Sequence, residues 1–163
     1  MKQQIIVSSV IGLVLCSLGC GQEQRAIEIN TYRGTSDASA AVALNEDMFL
    51  VADDENNTLR VYKFRNEPFP IASCNLSAFL RLTPDHPEAD IEGATKVGDL
   101  VYWITSHGRN KDGKPRPNRY RFFATRVTVL GDRVRVHPWG TPCKTLIHDL
   151  IMTKGMELSL IHI

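Results

Sequence analysis

The side chains able to do chemistry fall into two groups. Asp37 and Asp90 stand just before apolar runs, with Ser39 and Glu92 two residues further on. Asp53, Asp54 and Glu55 close one later apolar run, and Ser106, His107, Arg109 and Asn110 close another. Carboxylates collected at one mouth of a β fold can hold a hard cation such as Ca²⁺ through oxygen ligands. Asp90 and Glu92 are the candidate calcium ligands. Asp37 and Asp90 also have a plainer reading, because aspartates at turns accept backbone N–H bonds. Glu92 is harder to explain that way, since Gly93 beside it marks a crowded backbone. Glu92, His107 and Arg109 are the candidate catalytic residues. Ser106 and His107 are neighbours in the chain, and adjacency alone makes no nucleophile–base pair, whose members face each other across a fold.

The second group is a long loop from Ser106 to Arg119, carrying Arg109, Lys111, Lys114, Arg116 and Arg119. Long loops in compact domains are often functional. Guanidinium groups fork onto carboxylates and phosphates, so the loop suits an anionic ligand. The competing reading is a solvated hairpin turning at Asp112-Gly113. The candidate ligand-binding set is Asp37, Asp53, Asp54, Ser106, His107, Arg109, Asn110 and Lys114. Zinc spacings, phosphate-cradling loops and dinucleotide fingerprints are missing from the sequence.

These residues need elements to position them, and the chain supplies the elements twice. Asp37 and Asp90 lie 53 residues apart, and each opens a similar stretch. At that offset Met48-Phe49-Leu50-Val51-Ala52 falls on Val101-Tyr102-Trp103-Ile104-Thr105, and Asp53-Asp54 on Ser106-His107. Four strands are expected in each copy. The first copy gives 39–44, 48–52, 59–64 and 71–74, and the second gives 93–97, 100–105, 120–129 and 133–137. Asn45-Glu46-Asp47, Gly98-Asp99 and Gly131-Asp132 supply turn residues that tolerate positive φ. The second strand of each copy is a continuous apolar run, as expected with both faces covered. Val134 and Val136 alternate with Arg133, Arg135 and His137, as on an outer strand. No helix is expected before Leu146. The expectation is an all-β chain of tandem four-stranded antiparallel repeats, a fragment of a β-propeller behind an N-terminal signal segment. A plain antiparallel sandwich is the alternative. In a meander successive turns alternate between faces, so the two groups should share one face.

The remaining segments concern address. Lys2, an apolar run from Ile5 to Leu18 and then Gly19-Cys20 read as an export signal with a lipidated cysteine. The run is short for a membrane span, which takes about 20 apolar residues. Ser17 stands where such a signal usually has leucine, so ordinary cleavage or an uncleaved anchor stays open. The parts expected are a signal peptide (1–19), a lipidated start and linker (20–31), a first repeat (32–76) and a second (77–145). After them come the beginning of a truncated segment (146–157) and a non-native tail (158–163) whose residues match a sequencing adaptor read through in frame. The expected address is the cell envelope, as an outer-membrane lipoprotein facing the periplasm and held to the membrane by its lipid. With 19 Lys and Arg against 18 Asp and Glu there is no bulk electrostatic case for nucleic acid. Cys74 and Cys143 each close the last strand of a repeat, and an oxidising envelope would let them pair; two idle thiols are the alternative.

Several long motifs are carried in order: Ser36-Asp37-Ala38-Ser39-Ala40-Ala41, Phe49 to Glu55, Asp90-Ile91-Glu92-Gly93-Ala94, Gly98-Asp99, Tyr102 to Lys114, and Arg116-Pro117-Asn118-Arg119. Over about 32–151 the chain resembles the bacterial family called domain of unknown function 3616. That resemblance implies a propeller-like protein cut short, since the family's usual members are about twice this length or more. Asp90, Glu92 and Gly93 are also similar to a strand start in phytase-like and esterase-like β-propellers. There, acidic residues at a propeller mouth bind calcium and help to hydrolyse phosphate esters. The functional expectation is a module binding a small anionic or carbohydrate-like ligand. The alternatives are a calcium-dependent phosphoester or ester hydrolase and a protein-interaction scaffold. Fold likeness alone carries no activity across.

Overall fold

The structure, a computed structural model, describes residues 5–6, 29–65 and 67–153. The expected lipidated Cys20, the tail at 158–163 and all of the expected signal peptide except 5–6 lie outside the described residues. Those two residues form β1 (Ile5–Ile6), antiparallel to β2 (Thr31–Tyr32).

Two four-stranded antiparallel meanders hold the remaining described strands. The first runs β3 (Ala38–Ala43), β4 (Met48–Asp53), β5 (Thr58–Lys63), β6 (Ala72–Asn75) in spatial order. The second runs β7 (Ile91–Val97), β8 (Leu100–Thr105), β9 (Phe122–Leu130), β10 (Arg133–Cys143). The sheets meet face to face, with β3 against β7 and β6 against β10. Period-two patterning puts Met48, Leu50, Ala52, Leu59 and Val61 of the first sheet into one core with Ile91, Val101, Trp103, Phe123 and Val127 of the second. Trp103 is fully buried there, and its indole N–H donates to the equally buried Thr125 hydroxyl at 3.0 Å. The all-β reading and both sets of four strands therefore hold.

Four details differ from the sequence reading. The 53-residue offset holds between β3 and β7 but drops to 52 on the next strand. Val42 pairs with Leu50, whereas Thr95 pairs with Tyr102, because the second hairpin is a residue shorter. Asp53 therefore corresponds to Thr105 and Asp54 to Ser106. Matching hydrogen bonds confirm this: Asp54 N–H donates to the Asp37 carbonyl at 3.2 Å, and Ser106 N–H to the Asp90 carbonyl at 2.8 Å.

Second, β4 is buried along its whole length, but β8 is buried only at Val101, Trp103 and Thr105. The far face of β4 and β5 has a second cluster in which Tyr32 packs on Phe49, Val51 and Tyr62. Among the described residues nothing comparable lies over the matching face of β8, and Ile104 is 38% exposed.

Third, a helical turn, α1 (Ser77–Leu80), precedes the expected first helix. It buries Leu80 beside Leu76 and stops at Arg81, whose φ is +54°. The helix expected from Leu146 is present as α2 (Leu146–Met152).

Fourth, Cys74 and Cys143 are free thiols rather than a disulfide. Cys74 sits in register with Leu59 on β6, and Cys143 pairs with Phe122 past an irregular stretch that carries β10 beyond the expected His137.

Candidate functional site

Both sheets bulge at the start of their first strand. The extra residue is Ser39 in β3 and Glu92 in β7, each between shifted ladder pairs. A bulge re-aims its side chain and bends the strand; alanine, Ala40, follows the first bulge, and glycine, Gly93, follows the second. A Cβ on Gly93 would stand 3.0 Å from Ile104 Cγ2. Just before the second bulge, Asp90 adopts a left-handed φ of +62°, a conformation aspartate tolerates better than most residues. The Asp90 carbonyl accepts from the Ser106 N–H, as the Asp37 carbonyl does from the Asp54 N–H without a positive φ.

The resulting mouth gathers four carboxylates: Asp37, Asp54, Asp90 and Glu92. Burial, then the neighbouring Asp37, Asp90 and Glu92 charges, push Asp54 up to about 6 against an opposing backbone N–H bond at Glu55. One Asp54 carboxylate oxygen is buried without a hydrogen-bond partner. Glu92 is raised by burial and by Asp90 and Asp37, while Arg119 pulls it down. Asp90 is compensated directly, with Arg119 Nη1 2.7 Å from Oδ2 and the Ser106 hydroxyl donating to the same oxygen at 2.6 Å. The Asp90–Glu92 pair expected to hold calcium thus has its nearer cation in Arg119. No group of three or more His, Cys, Asp or Glu side chains among the described residues is arranged to hold a metal ion.

Other sequence candidates are not part of this mouth. Asp53 is fully buried. Burial alone would raise it, but Ser36 N–H, Thr35, Arg60 and Asn56 together lower it below the usual carboxylate range. Arg60 Nη1 lies 2.9 Å from its Oδ2. That is a structural anchor joining the start of the first repeat to β5. His107 is also buried, with Nδ1 2.8 Å from the Thr105 carbonyl and its ring against Tyr120. Its Nε2 is buried without a partner.

The basic loop forms a separate cleft of about 480 Å³ against the segment joining the repeats. Arg109, Lys111, Arg116 and Arg119 outnumber Asp85, Glu88 and Asp112 along its walls. Asn110 is a turn-former, its Oδ1 accepting from Asp112 N–H at 3.1 Å and Lys114 N–H at 2.7 Å. Lys114 contributes backbone to that turn and does not line the cleft. Two buried asparagines fix the opposite wall. Asn57 donates to the Pro87 carbonyl at 2.7 Å and accepts from Ala89 N–H at 2.8 Å, while Asn118 donates to the Glu88 carbonyl between them. Arg116 Nη1 reaches the His86 ring at 3.2 Å, and Arg119 joins cleft to mouth by touching Glu88 at 3.4 Å as well as Asp90. His86, Glu88 and Asn118 were not among the expected ligand-binding residues. His86 and Glu88 lie between the repeats, where repeat logic is silent. Asn118 sits in a short 3₁₀ turn, Pro117–Arg119, inside the loop.

Two face-to-face four-stranded meanders, with polar loops gathered around the starts of their first strands, define a tandem-repeat all-β protein. The family model described as "Protein of unknown function (DUF3616)" matches residues 37–129, which take in both bulges and the whole basic loop. The chain belongs to that family. No curated protein and no solved structure matches it significantly.

Proposed function

We propose that the chain is part of an exported, lipid-anchored β-propeller whose loop face binds a small anionic ligand in the cleft between residues 85–88 and 109–119. The observation that carries the ligand reading is the cleft's wall: four cations against three carboxylates, or three against two once the Arg119–Glu88 pair is set aside. Cation-rich clefts concentrate anions, and guanidinium forks give them orientation. Support for the propeller comes from inner strand lying on inner strand and outer on outer, the stacking of consecutive blades. The envelope address rests on the residues around Cys20. Loss of membrane partitioning in Cys20→Ala would support it, and unchanged partitioning would remove it.

Binding is tested by calorimetric titration of the protein with inorganic phosphate, beside Arg116→Met. Arg116→Met keeps the stem and removes the charge. The expected result is saturable binding that weakens about tenfold or more in the variant, the scale of one lost charge-assisted contact. Undetectable binding by the wild type refutes the reading. Calcium-dependent turnover of a phosphate ester would favour the hydrolase instead, and there Arg119 would have to yield Asp90 to the metal.

A further inference from the structure

Arg119 is fixed at its backbone and drawn two ways at its side chain. Its carbonyl accepts from His107 N–H at 3.0 Å and from the Thr105 hydroxyl, and its own N–H donates to the Arg116 carbonyl at 2.8 Å. Arg119 lines the cleft, yet its Nη1 lies 2.7 Å from Asp90 Oδ2, and Asp90 is not part of the cleft wall. Among the described residues it is the only Arg or Lys of that wall held in an ion pair. Arg109 Nη1 donates to the Gly113 carbonyl at 3.0 Å, and Arg116 rests on the His86 ring. Burial, Asp90 and Asp37 raise Glu92 while Arg119 opposes them, so the charge that faces the cleft is also felt across the mouth.

A guanidinium has several donors but a single charge. An anion seated in the cleft competes with Asp90 for that charge, even where both keep a hydrogen bond to it. Asp90 has a second donor to fall back on, because the Ser106 hydroxyl reaches the same Oδ2 at 2.6 Å. Glu88 is the weaker holder, half-exposed and 3.4 Å from Nη2. We infer that Arg119 couples the mouth to the cleft, so that the charge on Asp90 sets how tightly the cleft holds its anion. Neutralising Asp90 frees the guanidinium for the cleft. Coupling between sites is reciprocal, so an anion in the cleft leaves the mouth more negative and more attractive to positive charge.

This inference rests on the proposed anion-binding reading, and the experiment separates the two. The full chain, Asp90→Asn, Arg119→Met and the double variant are each titrated with inorganic phosphate in about 0.15 M salt, where exposed charges more than about 8 Å apart are largely screened. Asparagine keeps an acceptor for Ser106 and Arg119 and tolerates the left-handed φ of +62°. Asp90→Asn should bind phosphate about fivefold or more tighter than the wild type, the low end of coupling between linked sites. On the Arg119→Met background the same substitution should change affinity less than about twofold, since no shared cation remains. Plain repulsion between Asp90 and phosphate would give an equal gain in both backgrounds and would overturn the coupling. An unchanged or weaker affinity in Asp90→Asn, with the wild type binding, overturns it too and leaves the anion site standing. Ser106→Ala takes the second donor from Asp90 Oδ2 and should therefore weaken phosphate binding. That variant decides alone if thermal denaturation shows Asp90→Asn unfolded. If the wild type does not bind phosphate, both readings fall.

Discussion

Replacing Asp54 by Asn should stabilise the protein at neutral pH and lose that advantage in acid. Asp54 has a native pKa of about 6 against an ordinary 3.8. Between those values the folded protein holds a proton that the unfolded chain has released. Wild-type stability therefore falls as pH rises through about 4 to 6, and the full penalty is present above 6. The difference in pKa corresponds to roughly 3 kcal/mol. Asp54 is only partly buried, so solvent screening reduces this to about 1–2 kcal/mol. Asn does not titrate and preserves shape, so the penalty disappears without leaving a cavity. Urea unfolding of both proteins at pH 4, 5, 6 and 7.5 gives the stability difference at each pH. It should grow in favour of the variant by about 1–2 kcal/mol from the lowest pH to the highest. A difference that stays constant with pH would refute the reasoning, since a packing or hydrogen-bond effect carries no such slope. Repeating the series on Asp37→Asn adds a check. Removing that neighbouring charge should move the Asp54 window to lower pH.

Three further substitutions test other parts of the structure. Arg60→Ala leaves the buried Asp53 carboxylate without its cation and should cost about 3–5 kcal/mol at pH 7 by chemical denaturation. Asp53 has a lowered pKa, so its contribution is present above pH 3.8 and fades as pH falls through the native value; the cost of Arg60→Ala should shrink in acid. Thr125→Val leaves the Trp103 indole N–H buried without an acceptor and should cost about 1–3 kcal/mol, with a shift in tryptophan fluorescence marking the site. Gly93→Ala should cost about 1 kcal/mol or more by the same assay, because the atom in the way is the branch methyl on the Ile104 Cβ, and a β-branched side chain turns reluctantly about χ1.

The strands were legible because each carries period-two or continuous apolar patterning between residues that force turns. The repeat was legible too, but only as far as the first hairpin. Sequence alignment prefers no gap, and one residue lost between Val97 and Leu100 is invisible when apolar side chains are compared in runs. Hydrogen bonding is sensitive to that residue, because a slip of one turns every side chain to the other face. The correction matters to the site. It pairs Asp54, the carboxyl with the raised pKa, with Ser106, the hydroxyl that steadies Asp90, so the two repeats place different chemistry at one structural position. His107, taken from the sequence as a reactive group at the mouth, is turned into the protein against Tyr120. Arg119 was visible only as one of five loop cations. Its role depends on Asp90, Glu88 and the loop coming together, and those contacts span about 30 residues of chain that no local pattern links. Asn118 was less visible still. A buried amide oxygen without a partner is a property of the folded protein, because in the unfolded chain water satisfies every such group. A cation-rich loop is readable from composition alone. The wall that faces it appears only once Asn57 and Asn118 have clamped the carbonyls of Pro87 and Glu88 and the amide of Ala89.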